Sequence, residues 1–196
     1  RNEEKAHIVK KDLEHNFNAQ VDCFIADYKR LSEIRWVGKE ISKKYPKIYA
    51  LINNAGVFNK SRHLTPDGNE EVFAVIHLAS FLLTSLLIPN LKDGSPSRII
   101  DISSEAHRFG GLNIRDLNWK KRPYIGLWAY GAAKIAQILT MQKFSKMKIG
   151  ILGREFRQTG AIPHHNSHQV RPLSPHRTHT LSEQFHVLFW GNPPNI

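Results

Sequence analysis

The sequence predicts an α/β domain built on a parallel sheet, and three observations predict it. Strand-like and helix-like segments alternate from residue 21 to about residue 147. The segment Ile48-Tyr49-Ala50-Leu51-Ile52 is too apolar for a strand with one wet face, so it is expected in a sheet covered on both sides. Directly after it, Asn53-Asn54-Ala55-Gly56 breaks the chain direction at the strand's C-terminal end, where open α/β sheets place their ligands.

The elements follow in order. Residues 2–15 are charged, with Ala6, Ile8, Val9 and Leu13 among them, and read as a surface helix. Val21-Asp22-Cys23-Phe24-Ile25-Ala26 is a short strand ending at Asp27. Ser32 is placed to cap a second helix, whose Ile34, Val37 and Ile41 recur at helical spacing and which Pro46 stops. The strand at 48–52 precedes a helix over about 69–91, a turn at Gly94-Ser95-Pro96 and a strand over 98–102. After a long loop, residues 127–147 form the last helix.

Beyond residue 150 the pattern changes. Residues 151–196 hold six of the eleven histidines and five of the ten prolines, whose rings interrupt any long element. The chain is therefore expected to divide into a domain at residues 1–150 and a poorly ordered tail at 151–196, where Leu188-Phe189-Trp190 is apolar but isolated. A change of reading frame or alternative splicing near Gly150 would account for the shift. The start, Arg1-Asn2-Glu3-Glu4-Lys5, falls inside a helical pattern and carries no initiator methionine, so an upstream segment is expected.

At 196 residues there is room for one domain with a hydrophobic core, and 41% apolar with 23% charged residues is the composition of a soluble globular protein. A lone cysteine, Cys23, excludes an intramolecular disulfide and a multi-cysteine metal site. A cytoplasmic location is expected, with any membrane anchor confined to an upstream segment. The net charge of +11 raises nucleic acid as a partner, but the basic residues are scattered, with only short clusters such as Lys120-Lys121-Arg122. No aromatic-and-basic stripe accompanies them, so nucleic acid is not expected. The apolar run over 72–88 holds His77, Ser80, Thr84 and Ser85 and is shorter than the ~20 residues of a membrane span, so it reads as a buried helix. His164, His165 and His168 have no carboxylate or cysteine beside them to complete a coordination set, so no metal site is expected.

Two motifs carry chemistry. Tyr130 and Lys134 lie one turn apart on a helix face. An ammonium beside a phenol favours phenolate, lowering a pKa that starts near ~10. Such a tyrosine can exchange a proton with a substrate hydroxyl or carbonyl while hydride moves to or from a nicotinamide. The spacing alone is weak, and the Asn53-Asn54-Ala55-Gly56 break supplies the context: Gly56 lets backbone approach a ligand and the asparagines can fix a loop. Ser103-Ser104 closes the strand at 98–102, where a hydroxyl can hydrogen-bond a reacting oxygen beside Tyr130.

In this order, together with Thr65-x-Asp67-Gly68, Phe73-x-Val75-x-His77-Leu78, His107 and Asp116-Leu117, the chain resembles the short-chain dehydrogenase/reductase family, and within it the retinol-dehydrogenase-like group. The resemblance covers residues 1 to about 148. It implies a Rossmann-like doubly wound parallel sheet and NADP or NAD as cofactor. It makes Tyr130 the catalytic acid/base, Lys134 the residue that binds the nicotinamide ribose and lowers the tyrosine pKa, and Ser104 the residue that orients the substrate carbonyl, with Ser103 as the alternative. Asp27 would lie near the adenine, Asn54, Ala55 and Gly56 would line the cofactor cleft, and Arg1 stands where the group often favours the 2′-phosphate of NADP.

Three departures accompany it. The glycine-rich strand–turn–helix that holds the pyrophosphate is missing, since only Gly38 precedes Gly56, and with it the first two strands. The strands that flank the gap would each expose an unpaired edge. The position where the family commonly has an asparagine in a proton relay is Ile76, which has no hydrogen-bonding side chain. The strand expected after the catalytic helix has no match; Gly160-Ala161-Ile162-Pro163 is the nearest piece. Two functions follow: an NAD(P)-dependent oxidoreductase interconverting an alcohol and a carbonyl on a small lipophilic molecule of retinoid or steroid type, or an inactive relative serving as a binding or assembly partner. In either case the apolar helices over 73–91 and 127–147 are candidate contacts for a homodimer.

Overall fold

The computed structural model describes residues 3–146, 151–158 and 187–190. In chain order these form α1 (Glu3–Phe17), β1 (Val21–Phe24), α2 (Leu31–Lys44), β2 (Ala50–Asn53), α3 (Glu71–Asp93), β3 (Ser97–Ser104), a 3₁₀ turn (Glu105–Arg108), α4 (Gly126–Lys146), β4 (Ile151–Gln158) and β5 (Val187–Trp190). The strands β2, β3 and β4 make a parallel sheet in that order, with Leu51 opposite Ile99 and Ile99 opposite Gly153. The strand β1 lies in a separate antiparallel pair with β5, Val21 opposite Trp190.

Both β4 and β5 fall within the segment expected as a tail. The strand β4 takes the place beside β3 that the sequence left without a match, and Leu188-Phe189-Trp190 belongs to a strand rather than an isolated patch. The edges next to the missing strands differ from expectation in one respect. Among the described residues β2 has a strand on one side only, as expected, whereas β1 acquires β5 as a partner.

The core lies between the sheet and the helices α2, α3 and α4. Ile34, Val37 and Ile41 of α2 meet Leu83, Leu87 and Leu91 of α3 above Leu51 and Ile99 of the sheet, with Met141 of α4 closing the cluster. Polar groups clamp the same seam: the Asn90 amide donates to the Tyr45 carbonyl at 2.8 Å and accepts from the Ser42 hydroxyl at 2.8 Å. The helix α2 starts at Leu31, one residue before Ser32, and its flanking residue Arg30 makes no side-chain cap. Asp67, 36 residues further along, supplies it by accepting from the Leu31 N–H at 2.7 Å. This cap is tertiary, which is why local spacing pointed to Ser32 instead.

Among the described residues the helices cover one face of the sheet. Leu51, Asn53, Ile99, Asp101 and Ser103 are buried beneath the helices. Their alternates point the other way, and Ile52 is 59% exposed. Among the described residues the helices α2, α3 and α4 cover the face of β2 that carries Leu51. The helix α3 corrects a second expectation: at 23 residues, with a mean hydropathy of 2.1 over its most apolar 18-residue window, it is long and apolar enough to cross a membrane, so length alone does not exclude a span. Its most apolar stretch is 56% buried inside the protein, as in a core helix. It begins with Glu70, whose carboxylate accepts from the Val72 and Phe73 N–H groups, and it widens to a π-helical turn over Ala74–Leu78.

Candidate active site

The site forms where the C-terminal end of β3 meets α4. The strand's alternation puts Ser103 and Ser104 on opposite faces: Ser103 is 1% exposed, while Ser104 faces out and its hydroxyl accepts from the Ala106 N–H at 3.3 Å. That bond starts the 3₁₀ turn, and the turn packs directly on α4. A Cβ on Gly131 would sit 2.3 Å from the Ala106 carbonyl oxygen, and one on Gly110 would sit 2.2 Å from the Gly131 carbonyl carbon. Only glycines allow this approach, and it brings the Ser104 end of β3 against the turn of α4 that carries Tyr130.

Burial pushes the Tyr130 phenol above its ordinary value, and the hydrogen bond with Ser104 pulls it back only in part. Lys134 lies one helical turn further along α4. Its ammonium lies 5.7 Å from the centre of the Tyr130 ring and turns inward, donating to the Ile102 carbonyl at 2.6 Å and to Gln137 Oε1 at 3.2 Å. Lys134 is itself pushed down to about 8, chiefly by burial, against the favourable charge of Asp101. Phe58 meets the Tyr130 ring edge-on, 6.0 Å between centres.

The remaining expected residues are arranged around this centre. Asn54 is exposed, Ala55 is buried and Gly56 follows β2. A Cβ added to Gly56 would meet nothing within 4 Å, so the protein's own packing does not require glycine there. Asp27 follows β1 by three residues, and its carboxylate accepts from the Lys29 N–H at 3.0 Å. Ile76 is fully buried in an apolar cluster with Val57, Val72 and Ala133 of α4, so the relay position is sealed by hydrocarbon. Arg1, the histidines at 164, 165 and 168, and Gly160-Ala161-Ile162-Pro163 lie outside the described residues.

Sequence reasoning missed a buried polar group of side chains under the lysine. Asn53 Nδ2 donates to Thr84 Oγ1 at 3.0 Å and to Asp101 Oδ1 at 2.7 Å, and Gln137 is 2% exposed. The one local signal was the spacing of Lys134 and Gln137, three apart on a helix and therefore neighbours.

Residues 1–147 match the sequence model of the short chain dehydrogenase family. The chain belongs to that family. Human retinol dehydrogenase 13 is 39% identical over 147 residues, which are 74% of this chain and 44% of that protein. Mouse retinol dehydrogenase 12 is 38% identical over 129 residues, 66% of this chain and 40% of that protein. The chain spans less than half the length of these curated relatives and falls in the retinol-dehydrogenase-like group of short-chain dehydrogenases. A solved short chain dehydrogenase from Shigella flexneri shares the fold with a TM-score of 0.64 at 22% identity, covering 82% of this chain and 60% of that one. The architecture is accordingly a Rossmann-like doubly wound sheet in incomplete form. No glycine-rich loop precedes Gly56, and the described strands lack the family's first two.

Proposed function

We propose that this chain carries the catalytic half of an NAD(P)-dependent oxidoreductase that interconverts an alcohol and a carbonyl. The observation that carries the reading is Tyr130 on α4 set against the Ser104 end of β3 beside the buried Lys134. In this reading Ser104 orients the substrate oxygen and Tyr130 gives a proton to it, or takes one from it. A buried phenol stays protonated at neutral pH, so it is poised as the acid of carbonyl reduction. Lys134 has three N–H donors and uses two on Ile102 and Gln137, leaving one for a ribose hydroxyl. The open space beside Gly56, with Asn54 and Ala55, fits the nicotinamide end of the cofactor, which when bound would supply or accept the hydride. Asp27 is assigned to the adenine end, and NADP rather than NAD rests on Arg1.

A lipophilic substrate of retinoid or steroid type agrees with the Phe58 ring against Tyr130 and with the names of the retinol dehydrogenase relatives. A homodimer through α3 and α4 is part of the same reading, supported by Phe81 and Leu139, 46% and 51% exposed on those helices. So is a cytoplasmic setting, in keeping with a free Cys23. The alternative of an inert binding or assembly partner draws no support from these relatives, which are named for dehydrogenase activity.

The test is binding of NADPH and NADH to the purified chain, followed by tryptophan fluorescence, and then reduction of a retinoid aldehyde. Quenching that saturates, with turnover lowered about 10²–10⁴-fold in Tyr130→Phe, is the expected result. No quenching and no thermal shift at millimolar cofactor would sink the reading for this chain.

A further inference from the structure

Deepening the reading just proposed, and resting on it, we propose that Gln137 is a positioning residue that holds the Lys134 ammonium against the Ile102 carbonyl, in a part of the fold where Ile76 offers no hydrogen bond. Both side chains come from α4, and both are almost wholly out of solvent, Lys134 at 4% and Gln137 at 2%. The Gln137 atom that faces Lys134 must be its carbonyl oxygen, since an ammonium has only donors and an amide nitrogen cannot accept from it. The contact is 3.2 Å, and the Ile102 carbonyl completes a second acceptor at 2.6 Å.

An amide so deeply buried is unfavourable unless its polar atoms are used. Gln137 Nε2 and Ser80 Oγ have no hydrogen-bond partner among the described residues. Both residues line a cavity of about 10 Å³, together with Asn53, Thr84 and Asp101, room for one water molecule. The bond to Lys134 is therefore the interaction for which the described protein itself uses Gln137. Leucine would fill the position at lower desolvation cost but would leave the ammonium with a single protein acceptor.

Among the described residues three charged or titratable groups besides Lys134 bear on this place. Asp101 on β3 favours the lysine's charge, His77 on α3 is held neutral above about pH 4 by burial, and Tyr130 on α4 stays a neutral phenol. An acceptor bonded to the ammonium favours its charged form, so removing the acceptor lets burial depress the lysine further.

The test follows the Lys134 side chain through a pH titration by carbon-detected NMR on the full chain with no cofactor added, its signal assigned by its loss in Lys134→Arg. The wild-type midpoint is expected near the value of about 8 that burial sets. Gln137→Leu should lower the midpoint by about one pH unit, and Gln137→Glu should raise it by about one or more. A midpoint unchanged in both variants overturns the proposal. Should the leucine variant not fold, the glutamate variant decides: a rise supports the proposal and an unchanged midpoint overturns it. A structural role alone would alter the unfolding midpoint without moving the titration. Because the readout needs no cofactor, a failure of NADPH binding would count against the oxidoreductase reading and leave this result intact.

Discussion

The two faces of the short parallel sheet are built from the same strands and yet behave as different materials. On one face, Leu51 and Ile99 are 3% and 0% exposed under three helices, and Asn53, Asp101 and Ser103 share that dry layer with the lysine of the site. On the other, Ile52 is 59% exposed and Ala50 and Arg98 also face solvent. The apolar character of a strand states that it should be covered, and it does not supply the cover. The difference also explains why the polar side chains near the catalytic corner are so constrained. They lie on the face where an unpaired group is most costly.

Substitutions can break or sharpen this contrast. The largest effect is expected from Ile99→Ala on the covered face, a loss of about 2–5 kcal/mol measured by urea unfolding, from lost burial and the cavity left behind. A loss under ~1 kcal/mol would mean that the face is not packed as described.

Acid comes next. Burial pushes His77 from 6.5 down to about 4, so between those values the unfolded chain takes up a proton that the folded chain refuses. Stability from this group is therefore complete above 6.5 and falls as the pH drops toward 4, by no more than about 1.4 kcal/mol per pH unit. His77→Gln should flatten that limb in a series of unfolding curves, and an unchanged slope would place the histidine in solvent.

A smaller effect, about 1 kcal/mol, is expected when Asp67→Ala removes the cap from α2, one of the helices that cover the closed face. Amide exchange at Leu31 should quicken in the same variant. The smallest belongs to the open face: Ile52→Ala should change stability by no more than about 0.5 kcal/mol. A cost near that of Ile99→Ala would show that something covers this face in solution, and the contrast would then belong to the isolated chain only.

The legible part of the molecule was the local part. Helical spacing in α2, the break after β2 and the turn of helix between Tyr130 and Lys134 are short-range patterns, and each stands where the sequence put it. The strands β4 and β5 carried no such pattern. They are strands by pairing with β3 and β1, and pairing is a property of the partner as much as of the segment. In the candidate site the same division holds. The resemblance favoured Ser104 over Ser103, and the strand's alternation puts the two on opposite faces, Ser103 buried and Ser104 half-buried.

The sequence by itself determined the family, the order of elements from α1 to α4 and which motif residues stand at the end of β3 and on α4, since these rest on motif and period. The tertiary structure decided how those residues are used. It set Lys134 on Ile102 and Gln137, buried Ile76 among hydrocarbon, supplied the α2 cap from Asp67 and, among the described residues, covered one face of the sheet with helices. The reason is physical: hydrogen-bond partners and burial are set by groups distant along the chain, which a local pattern does not contain.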